Sequence, residues 1–164
     1  KRVRVETIIS TMVKRFWTVF NTGWKERANQ LGFSIHQIVT LASIIEKETS
    51  LEEERPEVAG VFVRRLQKRM RLQTDPTVIY GMGDSYDGDI RFRDLRQDTP
   101  YNTYTRSGLT PTPIAMPGKE AVLAVLHPAD GKELYFVARG DGSHQFSATL
   151  KEHNRAVDRY QRNR

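Results

Sequence analysis

The stretch Ser34-Ile35-His36-Gln37-Ile38-Val39-Thr40-Leu41-Ala42-Ser43-Ile44-Ile45-Glu46-Lys47-Glu48-Thr49 decides the reading of this chain. Ile35, Ile38, Val39, Leu41, Ala42 and Ile45 recur at intervals of three and four, the period of a helix, and Ser34 is a fitting N-cap. The helix so predicted is apolar along most of its length and ends in two carboxylates, Glu46 and Glu48, with a hydroxyl residue directly after the second. A solvated helix end is the ordinary reading. A glutamate at the margin of an apolar stripe, however, is drawn partly out of water, which raises its pKa from about 4.3 toward the roughly 6 to 7 that suits a general acid. Residues two apart on a helix project in nearly opposite directions, so the pair cannot flank one bond as the twin acids of ordinary glycosidases do. One of them is therefore structural. A helical wheel puts Glu46 inside the apolar arc and Glu48 at its edge, which on burial alone favours Glu46 as the unusual residue.

Working outward, residues 3 to 28 carry Val5, Ile8, Ile9, Met12, Val13, Phe16, Trp17, Val19 and Phe20 at helical spacing, predicting one amphipathic helix closed off by Gly32. Downstream, Glu52, Glu53 and Glu54 suit a helix N-terminus, and Val58, Val61, Phe62 and Leu66 form the stripe of the helix they open. Arg64, Arg65, Lys68 and Arg69 complement its C-terminal dipole. Asp75 as N-cap with Pro76 behind it predicts a short helix through Tyr80, stopped by Gly81 and Gly83. Periodicity then fades from 84 to 117 among Gly, Pro, Asp and Thr, and an irregular stretch that long usually carries function. A short helix at 121–126, a strand at Leu134-Tyr135-Phe136-Val137, a turn at 140–142, a return strand at 144–146 and a basic helix from about Ala148 follow. The fold class is α+β, mostly helical with a small β-hairpin.

With 164 residues and 38% hydrophobic content, the chain has the material for one core. It contains no cysteine, which removes disulfides, thiolate nucleophiles and cysteine-based zinc sites. A formal charge of +6 fits either a polyanionic partner or a plain basic surface. No apolar run approaches the roughly 20 residues that span a bilayer, and residues 1–6 are charged rather than signal-like. The histidines His36, His127, His144 and His153 lack metal-site spacing. There is no P-loop, Gly81-Met82-Gly83 is too little for a dinucleotide fingerprint, and Ser143 beside His144 does not make a triad by adjacency.

Ordered blocks carry more information than composition. Ala42-Ser43-Ile44-Ile45-Glu46-Lys47-Glu48-Thr49, Arg65-Leu66, and Met70-Arg71-Leu72-Gln73-Thr74-Asp75-Pro76-Thr77-Val78-Ile79-Tyr80-Gly81 come first. Tyr101-Asn102-Thr103-Tyr104, Gly108-Leu109, Ile114-Ala115, Pro117-Gly118, His127-Pro128, Tyr135-Phe136-Val137-Ala138, His144 with Phe146, and His153-Asn154 come after. In this order they resemble the YceG-like family of membrane-anchored endolytic murein transglycosylases (MltG), over roughly residues 38 to 160.

That resemblance implies a lysozyme-like, lytic-transglycosylase-like catalytic domain over 33–164, with 1–32 as an amphipathic helix leading into it. An upstream membrane anchor and a LysM-like domain are expected outside the residues given. It implies Glu48 as the catalytic acid and base, leaving Glu46 as the structural carboxylate. Glu46 is then expected to pair with an arginine of the third helix, Arg65 foremost, because an unpaired buried carboxylate is costly. Gln73 and Thr74 resemble the segment that faces the acid across the cleft. Tyr101, Asn102 and Tyr104 are expected to meet sugar rings, with His144 and Phe146 as a further wall. The implied reaction cuts the MurNAc–GlcNAc bond and closes a 1,6-anhydro ring without metal or organic cofactor. The implied partners are peptidoglycan glycan strands and peptidoglycan synthases, at the periplasmic face of the inner membrane and without nucleic acid. Two rival readings are a peptidoglycan-binding module without activity and a basic nucleic-acid-binding domain, the latter resting on the charge, the Arg-rich third helix and the tail 155–164. The nucleic-acid reading leaves the ordered blocks without a use.

Overall fold

In the computed structural model, which describes residues 3–162, the apolar stretch of 35–48 becomes the helix around which the rest assembles. Helices α1 (Val5–Val19) and α2 (Thr22–Gln30) precede α3 (Ile35–Glu48); α4 (Arg55–Gln67), α5 (Asp75–Met82), α6 (Phe92–Arg96) and α7 (Lys119–Leu126) follow it. The chain then forms strands β1 (Tyr135–Ala138) and β2 (His144–Ser147), helix α8 (Leu150–Val157) and a π-helical turn Asp158–Arg162. Among the described residues no helix is long and apolar enough to cross a membrane.

Ser34 starts α3 as read, and Gln37 makes the cap reciprocal: the Ser34 hydroxyl accepts from the Gln37 N–H, and the Gln37 side chain accepts from the Ser34 N–H. Ile38, Leu41, Ala42, Ile44 and Ile45 are then completely covered, by α7 and α4 above all. Ser43, equally buried, donates to Thr40 O and accepts the Ile114 N–H, so its hydroxyl is satisfied at the centre of the helix. Gly60 lets α4 approach the segment after α7, since a Cβ there would stand 2.5 Å from Ala129 O.

The single N-terminal helix expected from periodicity is two helices. Asn21 interrupts it by accepting the Trp24 N–H and capping α2, and the bend drives Phe20 into the core, where it is 1% exposed. Glu52–Glu54 form a 3-10 turn of their own ahead of α4. Asp75 is the first residue of α5 and not its N-cap; Thr74 holds the cap position, with its hydroxyl committed elsewhere. Within the irregular stretch lies α6, where Asp94 accepts the Arg91 N–H at 2.9 Å. The hairpin pairs Tyr135 with Ser147 and Ala138 with His144.

Glu46 meets Arg55, not Arg65. The Arg55 guanidinium stands 3.9 Å from Glu46 Oε1, and the Gly118 N–H donates to Oε2 at 3.0 Å. The reason is axial distance: Arg55 opens α4 beside the end of α3, whereas Arg65 lies ten residues further on, about 15 Å along the helix. Arg65 instead donates to Leu134 O at 2.6 Å, Leu72 O at 2.8 Å and Arg71 O at 3.2 Å, joining α4, the entry to the hairpin and the segment before α5. With 7% exposure, Arg65 has little water to fall back on.

These two charges should therefore respond differently to neutralisation. Arg65→Met, which strands buried carbonyls, is expected to cost about 3 kcal/mol in chemical denaturation. Glu46→Gln, at a wider and partly solvated pair, should cost about 1 kcal/mol or less. Equal losses would mean that Arg65 is not the tie described.

Candidate active site

Glu48 is the last residue of α3, so the buried body of the helix draws it inward while the chain end leaves one side open. That side faces a cavity of about 520 Å³ whose wall includes Glu48, Arg65, Gln73, Asp75, Tyr104 and His144. The Thr74 hydroxyl donates to Glu48 Oε2 at 2.5 Å. Burial pushes the carboxyl pKa above its ordinary value; the Thr74 bond opposes this, Asp75 adds to it, and His144 and Arg65 pull back. Burial prevails, and the acid is inclined to keep its proton.

Thr74 is presented by a small hydroxyl network. Its N–H donates to Thr103 Oγ1 at 3.1 Å, its carbonyl accepts the Thr77 hydroxyl at 2.7 Å, and Thr77 and Thr103 meet at 2.9 Å. Gln73 just before it takes a left-handed backbone, φ 52°, which a non-glycine residue adopts only when its surroundings hold it there. The hold comes from the Gln73 N–H bonded to Thr103 O and from Arg65 gripping the carbonyls of Arg71 and Leu72. This kink turns Thr74 inward to Glu48 and leaves Gln73 exposed on the cavity wall.

In the same wall, the Tyr104 hydroxyl donates to Asp75 Oδ1 at 2.6 Å. Burial first, and the Asp75 carboxylate next, push the phenol well above its ordinary range, so it stays protonated. Tyr135 and Phe136 from β1 give an aromatic side. The Arg65 guanidinium lies 5.1 Å from the Tyr135 ring centre, and His153 of α8 stacks on the same ring at 5.3 Å. Burial, with Arg65 adding to it, pulls the His153 imidazole below its ordinary value.

Glu48, Gln73, Tyr104 and His144 thus line one cavity, and Thr74 stands behind the acid. Three expected sugar contacts lie elsewhere. Asn102 is 1% exposed and fully engaged: its amide donates to the carbonyls of Asp94, Leu95 and Gln97, and its oxygen accepts the Tyr104 N–H. It shapes the loop that carries Tyr104 and lies outside the wall of the Glu48 cavity. Tyr101 meets the Tyr80 ring at 4.8 Å, tilted by 58°, and bonds Thr112 through its hydroxyl, outside the cavity wall. Phe146 pairs with Phe136 across the hairpin, on the face it shares with His144, and packs against Phe136 and the core outside the cavity wall. Residue order alone does not reveal Asp75, Tyr135 and His153 as wall residues; in the sequence Asp75 signals only a helix start. Among the described residues, no group of three or more His, Cys, Asp or Glu side chains is placed to hold a metal ion.

Comparison with known proteins adds a family. A sequence model described as the YceG-like family matches residues 1–159. The endolytic murein transglycosylase of Bacillus subtilis (strain 168) is 43% identical over 156 residues, covering 95% of this chain and 43% of that protein. The Streptococcus pneumoniae (strain D39) protein of the same name is 32% identical over 130 residues, covering 76% of this chain and 23% of its own length. A crystal structure of a YceG-like protein from Listeria monocytogenes superposes with a TM-score of 0.85 at 40% identity, over 94% of this chain and 50% of that one. The chain thus spans half or less of the length of these relatives.

The raised Glu48 pKa has a consequence for stability. Unfolded, the carboxyl titrates near 4.5. Folded, it holds its proton to higher pH, so the native state loses stability as pH rises through the folded pKa and carries no such deficit below about 4.5. Glu48→Gln is expected to melt higher than the wild type at pH 8, with the advantage vanishing by pH 4 on thermal denaturation; a pH-independent difference would contradict the assignment.

Proposed function

Because the chain belongs to the YceG-like family, we propose that it is the catalytic part of an endolytic murein transglycosylase, with residues 33–164 as the catalytic unit and 1–32 as the approach to it. The observation that carries this reading is a single acid, Glu48, inclined to stay protonated, on the wall of a cavity wide enough for a sugar ring. The substrate is the peptidoglycan glycan strand, which places the reaction outside the cytoplasmic membrane, with anchoring left to parts of the protein beyond this chain. Peptidoglycan synthases, which make that strand, are the natural neighbours.

Glu48 protonates the oxygen between MurNAc and GlcNAc, the C1–O bond breaks, and GlcNAc leaves with a free 4-hydroxyl. The second nucleophile belongs to the substrate, an arrangement known among glycosidases that use one carboxylate. The 2-acetamido group shields the oxocarbenium ion. The C6 hydroxyl then attacks C1, and its proton returns to the Glu48 carboxylate, closing the 1,6-anhydro ring. One residue serves both steps because it changes state between them. The Thr74 hydroxyl, bonded to Oε2, steadies the carboxylate in its basic phase and fixes its orientation. Gln73 and Tyr104 offer amide and phenol groups to the sugars from the cavity wall.

Digestion of un-crosslinked glycan, followed by mass spectrometry of the ends, tests the proposal. Anhydro ends are expected from the wild type and at least about a hundredfold fewer from Glu48→Gln; reducing ends would indicate a hydrolase instead. A second outcome concerns pH. Thr74 lowers the Glu48 pKa, so in Thr74→Val the loss of activity with rising pH should set in at higher pH than in the wild type. A downward displacement of that limb would refute the role given to Thr74.

A further inference from the structure

Behind the cavity wall lies a carboxylate that this mechanism does not use. Glu54, at the end of the 3-10 turn ahead of α4, reaches ninety residues along the chain to the first residue of β2. Its Oε1 accepts the His144 backbone N–H at 2.8 Å, and its Oε2 meets His144 Nδ1 at 2.7 Å. Both side chains are nearly covered, 11% exposed for His144 and 12% for Glu54. Phe136 meets the imidazole edge to face at 5.4 Å, closing another side of the ring. His144 lines the cavity and Glu54 does not.

We propose, building on the glycan-cleaving reading above, that Glu54 is a positioning residue that locks His144 as the Nδ1–H tautomer, so that Nε2 serves as a hydrogen-bond acceptor for an N–H or O–H group of the glycan bound against Glu48. A carboxylate has only lone pairs to offer, so a short contact to Nδ1 requires a proton on that nitrogen. Once Nδ1 is committed, Nε2 is the ring nitrogen left for a ligand, and in the neutral ring it is bare. The second bond, from the backbone N–H to the same carboxylate, fixes the start of β2 and removes the freedom of the ring to slide. Sugar hydroxyls and the amide N–H of an N-acetyl group are the donors such an acceptor selects, and the wall becomes selective through a residue that never touches the substrate.

Glu54→Gln separates this role from simple bracing. The glutamine carbonyl can still accept the backbone N–H, which turns its NH2 group toward Nδ1 and obliges that nitrogen to accept. The proton then moves to Nε2, and the acceptor facing the cavity becomes a donor. Long-range proton–nitrogen NMR of the imidazole at about pH 8, above the ordinary histidine range, should show Nδ1 protonated and Nε2 bare in the wild type, and the reverse in Glu54→Gln. Any other pattern in the wild type overturns the proposal. In a Glu48→Gln background, where glycan stays intact, un-crosslinked glycan strands should bind about tenfold more weakly after Glu54→Gln, as they should after His144→Ala, and no more weakly when both changes are combined. Undiminished affinity in Glu54→Gln, or losses that add, would overturn it, and so would glycan that does not bind at all. Strands that bind with this pattern but are not cut by the wild type would refute the catalytic reading alone.

Discussion

Glu48 stands out of water because the face of the helix that carries it is packed into the core. Ile44 and Ile45, one turn before it, are completely covered, and Thr49, just after it, is 4% exposed. A side chain between such neighbours is not free to seek bulk solvent, whatever its charge. Burial is the leading cause of its raised pKa, and the negative end of the α3 dipole acts in the same direction. Cavity, hydroxyl network and guanidinium are arranged around this one constraint.

A buried carboxyl can be relieved in two ways, and only one keeps it useful as an acid. A direct ion pair would favour the charged form and depress the pKa, while a hydroxyl donor relieves the charged form less strongly. Here the nearby guanidinium is turned away: Arg65 spends its donors on the carbonyls of Leu134, Leu72 and Arg71. Its charge reaches Glu48 only through space, as the weakest of the five influences on that carboxyl. The same donors hold the segment whose kink at Gln73 aims Thr74 at the acid, so one buried cation tunes the site mainly by building it.

What the sequence made legible follows from the range of each interaction. The period of 35–48 and its cap are local, and so α3 could be read residue by residue; the antiparallel hairpin was visible for the same reason. The break at Asn21 was missed because apolar spacing persists through Phe20, although Asn followed by Thr is itself a capping signal. Glu46 was assigned the wrong arginine because α4 offers several, and which one lies near the end of α3 depends on a turn whose geometry no pattern encodes. Asn102 illustrates a harder case. An Asn among tyrosines reads equally as a sugar contact or as a loop staple, and only coordinates reveal the three carbonyls converging on its amide. Pairs such as Glu54 with His144 or Asp75 with Tyr104 join distant segments, and neither residue of a pair announces the other.

The cavity wall is chemically mixed, and that mixture bears on what it can hold. Hydrogen-bonding groups, among them Glu48, Arg65, Gln73 and the Asp75–Tyr104 pair, share it with the rings of Tyr135 and Phe136 and the side chains of Leu150 and Val157. A pyranose has the matching mixture, with hydroxyl and amide groups around its rim and C–H groups on its faces, and aromatic rings provide flat apolar surface for the latter. A wholly apolar ligand would strand these polar groups, and a phosphate-rich polymer would face Glu48 and Asp75 with like charge whenever they ionise. A sugar ring, neutral around its rim, avoids both penalties, so the wall as a whole, and not the acid alone, supports the glycan proposed as substrate.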